Sequence, residues 1–174
     1  NDISLAKNYI NKYPKGKHIY KVKKIYKKLK KQKEKEDYAE AKRINTSDVW
    51  QKFLNNYPNH WDRKNIKKRI ISLKVDEIMQ SNETGNLPSF SKTNYGHSAI
   101  STVTIHNDTG YELTVRYSGP SIKEIVIPKG KYKTTRLKSG SYKIAASAGG
   151  LNYAGTEDLS GNYTSKYYIV TTRY

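Results

Sequence analysis

The sequence predicts an α+β protein with two segregated domains. An N-terminal α-helical repeat of about five helices is expected over residues 1–80 and a linker over 81–98. A C-terminal all-β antiparallel sandwich of about seven strands is expected over 99–174. Three observations carry this. A helical unit recurs 44 positions along the chain. Asn11/Asn55, Tyr13/Tyr57, Pro14/Pro58, Lys23/Lys67, Lys24/Lys68 and Leu29/Leu73 are identical between the copies. A long-period repeat of helix pairs is the mark of stacked units that present a surface. After Ala99 the hydrophobic period changes from that of a helix to two, and Ser81–Ser89 between the halves follows neither.

Leu5, Ala6, Tyr9, Ile10 and Tyr13 lie at helical spacing until Pro14 and Gly16 interrupt them. A second helix follows, with Ile19, Val22, Ile25, Tyr26 and Leu29 expected on one face. Residues 36–44, with Tyr38, Ala39 and Ala41, predict a short third helix. Asn45-Thr46-Ser47 offers a cap for a fourth, whose apolar face is Val49, Trp50, Phe53, Leu54 and Tyr57. Pro58 ends it. The fifth runs from about Trp61 to Gln80, with Ile66-Ile70-Leu73 on one side and Ile71-Val75-Ile78 on another. In the second half, six turns separate seven short alternating segments. The turns lie at 107–110, 118–120, 128–130, 138–140, 149–150 and 160–162. Such spacing predicts a sandwich.

Composition narrows the function. The net charge is +18 and is uneven: residues 1–80 hold 22 Lys+Arg against 9 Asp+Glu, and residues 81–174 hold 11 against 6. That excess favours anionic partners. With no cysteine, disulfides, zinc–thiolate sites and cysteine nucleophiles are excluded. No apolar run is long enough for a membrane span. His18, His60, His97 and His106 stand in no ligand spacing, and no nucleotide, cofactor or hydrolase fingerprint is present. The expectation is therefore a protein that is not an enzyme and carries no cofactor. Glu157-Asp158 is the one acidic pair of the second half, a calcium candidate outweighed by the reading as a solvated strand end.

The pattern Tyr-Ile-x-x-Tyr-Pro at Tyr9–Pro14, repeated as Phe-Leu-x-x-Tyr-Pro at Phe53–Pro58, is followed each time by an amphipathic helix. It resembles tetratricopeptide-type repeats of bacterial envelope lipoproteins and periplasmic coordinators over roughly residues 3–78. That resemblance implies a protein-interaction scaffold, periplasmic or envelope-associated. Leu137-Lys138-Ser139-Gly140-Ser141-Tyr142-Lys143-Ile144 is similar to a hairpin of transthyretin-like and carboxypeptidase-regulatory-like sandwiches. The resemblance implies an adhesion or spacer module. Tyr142 and Ile144 should point inward and Lys143 outward.

The candidate binding residues are of two kinds. Lys17, Lys21, Lys24, Lys28, Lys31 and Lys35, spaced 4, 3, 4, 3, 4, would stack along one helix face over about 27 Å. Like charges so placed disfavour the helix by a few tenths of a kcal/mol each. An anionic surface or nucleic acid would offset that cost, whereas Glu34, Glu36 and Asp37 would offset part of the positive field. Trp50 and Trp61 are aromatic anchors for a protein partner if exposed. The leading expectation is a protein partner held by the helical repeat. The alternative is a polyanion on the lysine face.

Overall fold

The computed structural model describes residues 2–88, 90–94 and 98–167. His97 and the Tyr168–Ile169 end of the last predicted strand lie outside these residues. The chain forms two compact units, residues 1–63 and 64–174. Helices fill the N-terminal part and strands the C-terminal part, an α+β layout.

Four helices form among the described residues, where about five were expected: α1 (Asp2–Lys12), α2 (Ile19–Ile44), α3 (Ser47–Asn56) and α4 (Arg63–Gln80). The second and third predicted helices are one. Lys27–Asp37 contains only Lys, Gln, Glu, Asp and Leu, with no Gly or Pro. Most of these residues favour the helix, so nothing interrupts it. It ends where Asn45 adopts a left-handed conformation (φ 56°) and donates its N–H to the Ala41 carbonyl. Thr46 then caps α3, its hydroxyl accepting the Val49 N–H at 3.4 Å.

The 44-residue repeat is visible in the turns after α1 and α3. Tyr13 N–H bonds the Tyr9 carbonyl, Gly16 that of Tyr13, and Ile19 that of Gly16. The second copy repeats all three bonds, from Tyr57 to Phe53, His60 to Tyr57, and Arg63 to His60. Proline after the tyrosine stops the helix in each copy, because its ring disfavours helical geometry in the preceding residue. The tyrosines themselves differ. Tyr57 is half-buried, while Tyr13 is exposed.

The interior of the first unit is built around Ala41, Trp50, Phe53 and Leu54. Tyr38 meets Trp50, Phe53 and His60 with ring centroids 4.9–5.6 Å apart. Its hydroxyl donates to Asp62 at 2.8 Å. Such aromatic pairs add modestly to area burial.

In the second unit nine strands are described: β1 (Gly85–Asn86), β2 (Ser91–Asn94), β3 (Ile100–Asn107), β4 (Leu113–Ser118), β5 (Ile122–Ile127), β6 (Tyr132–Lys138), β7 (Gly140–Ala148), β8 (Leu151–Leu159) and β9 (Asn162–Tyr167). Strands β3–β9 occupy the seven segments between the predicted turns. One sheet has the order β1-β8-β7-β4-β5, the other β2-β9-β3-β6. Neither is wholly antiparallel, since β1 runs parallel to β8 and β9 parallel to β3. One hydrophobic cluster takes Val103, Ile105, Leu137 and Tyr163 from the second sheet. From the first it takes Leu113, Val115, Tyr117, Ile125, Ile127, Tyr142 and Ile144. Tyr142 and Ile144 are buried and Lys143 exposed, as the alternation required. Gly140 has φ 141° and no room for a Cβ beside the Pro120 ring, which accounts for glycine in that hairpin.

The predicted boundary moves. Val75 and Ile78 of α4 pack with Ala145 of β7, Ser118 donates to Ser72 at 3.0 Å, and Lys143 pairs with Asp76 at 2.8 Å. Residues 64–80 of α4 thus belong to the strand unit. Residues 81–98 do not behave as a linker where they are described. Gly85 and Asn86 pair with Tyr153 and Ala154, Leu87 N–H bonds Ala154, and Phe90 lies in the core. A single buried Phe and two brief pairings override the polar, turn-rich composition around them.

Candidate functional site

The lysines are placed by the apolar face opposite them. Ile19 is buried, and Val22, Tyr26 and Leu29 are half-buried. At 3.6 residues per turn, Lys21, Lys24, Lys28, Lys31 and Lys35 then fall within an arc of about 80° on the far side of α2. All five are exposed. Lys17 is exposed too but sits in the turn before the helix, so the helical row runs from Lys21 to Lys35, about 21 Å.

None of these six lysines makes an ion pair among the described residues. Nearby acidic groups are occupied elsewhere. Asp37 accepts from Tyr57 Oη at 2.7 Å and pairs with Lys33 at 2.8 Å. Glu40 holds Arg43, and Glu36 accepts from Gln32. Partial burial works to raise the Asp37 carboxyl, but the bonds from Lys33 and Tyr57 and the charges of Lys33 and Lys52 outweigh it. The group is held below its ordinary value. The Tyr57 hydroxyl is pushed up, first by burial and then by the Asp37 carboxylate. The first acidic residue of α2 is Glu34, so the N-terminal half of the row has no compensating charge on its own helix.

Two residues border the row. Tyr20 falls about 20° beyond its Lys31 edge and Ile25 about 40° beyond its Lys21 edge. Tyr20 is 86% exposed and Ile25 44%. Ile25 was expected on the inner face. Its angular position, read against Val22 and Leu29, already sets it toward the lysines.

The two tryptophans separate. Trp50 is 1% exposed, its indole N–H donating to Asn45 at 3.1 Å, so it is a core residue and no partner can reach it. It lies on the helix face with Phe53 and Leu54, the face that closes the unit. Trp61 is 81% exposed, its ring tilted against that of His60 with centroids 5.3 Å apart.

The remaining polar candidates are engaged. His60 is buried against Tyr38 and accepts the Asp62 N–H, His106 stacks on Tyr132, and His18 is exposed. Glu157 accepts the Phe90 N–H at 3.0 Å and Asp158 accepts the Ser141 hydroxyl. Among the described residues no group of three or more His, Cys, Asp or Glu is arranged to hold a metal ion, and no helix is long and apolar enough to cross a membrane.

Fold and site together define a two-unit α+β protein with a basic helical face in its first unit. The chain belongs to a family defined as a domain of unknown function (DUF6759), which matches residues 62–170. The match begins beside the start of α4 and covers most of the second compact unit. No curated protein matches the chain significantly.

Proposed function

We propose that the protein is a non-enzymatic binding protein whose helical unit engages a polyanionic partner through the lysine face of α2. The observation that carries this is the row Lys21-Lys24-Lys28-Lys31-Lys35. It is exposed, aligned within an arc of about 80° and without an ion pair among the described residues, and the exposed Lys23, Lys27 and Lys30 widen the basic surface beyond it. Like charges at these spacings disfavour the helix, and a bound polyanion relieves them. In this reading the two sheets form a β-sandwich that acts as a spacer or adhesion module. The test is the salt dependence of binding to mixed-sequence DNA, used as a soluble polyanion at low salt. Lys21, Lys24 and Lys28 changed to Gln should flatten the slope, and an unchanged slope would refute the proposal.

The second reading is a tetratricopeptide-like scaffold of the cell envelope that holds a protein partner. Trp61, exposed and already braced by His60, is the observation that favours it. It would prevail over the first if a partner's capture depended on Trp61 and were indifferent to salt.

A further inference from the structure

We infer that the polyanion is the anionic headgroup surface of a lipid bilayer, on which α2 lies flat. This rests on the lysine-face reading above and narrows it to one partner. Three features of the face select a membrane over a nucleic acid.

The first is its shape. The lysines run over about 21 Å within one arc of an uninterrupted helix, so long stems let a plane meet all of them together. The second is its border. Tyr20 and Ile25 stand exposed on either side of the row. About 60° and 80° from the middle of the row, the two flank it and meet the headgroup layer at its edges, a level that suits amphipathic rings and the apolar parts of side chains. A nucleic-acid strand could stack a base on Tyr20, but its phosphates offer Ile25 nothing. The third is the choice of cation. Every basic residue of the row is lysine, and the only arginine of α2, Arg43, is bound to Glu40. Reading base edges favours the forked guanidinium, whereas a diffuse layer of phosphates needs only charge on a long stem. Lysine stems can lie along the apolar border while their ammonium groups reach the headgroups.

Attachment of this kind is peripheral and calls for no membrane-crossing helix. Each lysine near an anionic leaflet adds to the attraction, so several act together where one would be negligible.

The test uses the full chain and two kinds of vesicle sedimented at physiological salt. One is phosphatidylcholine alone, the other equal parts phosphatidylcholine and phosphatidylglycerol. A parallel arm measures mixed-sequence DNA at low salt. Three proteins are compared: the wild type, the triple change Lys21→Gln, Lys24→Gln and Lys28→Gln, and the double change Tyr20→Ser and Ile25→Ser, which keeps every charge. The wild type should bind the anionic vesicles and not the neutral ones. The triple variant should lose roughly a hundredfold in vesicle affinity. The double variant should lose several-fold on vesicles and nothing on DNA. Both sites are surface positions, and unchanged tryptophan fluorescence would verify the fold of the first unit. DNA binding that depends on the lysines, without vesicle binding, would overturn the lipid inference and leave the polyanion reading standing. Vesicle binding indifferent to Tyr20 and Ile25 would also overturn it. Loss of lysine dependence in both arms would overturn both.

Discussion

Replacing Val75 by Ala tests whether α4 is part of the strand unit. Val75 is 0% exposed and packs with Ile78 and Ala145. Shortening it removes the equivalent of two buried CH₂ groups, about 1.6 kcal/mol at ~0.8 kcal/mol each. The cavity left behind raises the expected cost to about 2–3 kcal/mol, since neighbours relax only in part. Both tryptophans lie in residues 1–63, so tryptophan fluorescence reports on the first unit alone. Peptide-resolved hydrogen exchange through a urea titration reports on the second. The expected result is a loss of about 2–3 kcal/mol in peptides covering β4 and β7. The control Val126→Ala, at a position 38% exposed, should change stability by less than about 0.5 kcal/mol. A shift confined to tryptophan fluorescence would show that α4 is held by the helical unit. The reasoning would then fail.

Two other outcomes follow from single groups. Tyr117 is fully buried and its hydroxyl has no hydrogen-bond partner among the described residues, so Tyr117→Phe should be neutral or stabilise the strand unit by about 1 kcal/mol; destabilisation beyond ~1 kcal/mol in a urea titration would reveal an unseen partner. Asp37 has its folded-state carboxyl held below the ordinary value of 3.8, so its contribution is present above that value and lost as pH falls through the lowered one. The stability gap between wild type and Asp37→Asn, read by tryptophan fluorescence, should stay constant near neutrality and close only in acid below the ordinary value; a gap closing near neutral pH would contradict the assignment.

Local signals in the sequence carry further than long-range ones. Pro14 and Pro58 end helices through their own rings, and the six turns bracket β3–β9 because Gly, Asn and Asp act over a few residues. Alternation alone places Tyr142 and Ile144 inside. What escapes a reading of the sequence depends on distant partners. The parallel pairing of β3 with β9 joins segments some sixty residues apart, and nothing in either strand marks it. The burial of Phe90 amid polar neighbours and the packing of Val75 on Ala145 are of the same kind. At the site, the lysine face is legible because helical spacing is local. Trp50 is a core residue rather than the anchor expected, because a large ring serves a core as readily as an interface. Tyr20 and Ile25 did not figure among the expected site residues, although the angular reading that aligns the lysines sets both at their edge.

The central claim is that the α2 face, rather than net charge, binds the polyanion. Its most direct measurement compares two triple variants of equal charge on mixed-sequence DNA across a salt series. One changes Lys21, Lys24 and Lys28 to Gln. The other changes Lys129, Lys131 and Lys138, three exposed lysines of the second unit, to the same residue. The first should reduce the slope of log affinity against log salt by up to ~3, about one for each phosphate no longer neutralised, and the second should leave it near the wild-type value. Equal slopes for the two variants would mean that charge alone attracts the polyanion and that the α2 face is only a solvated helix surface.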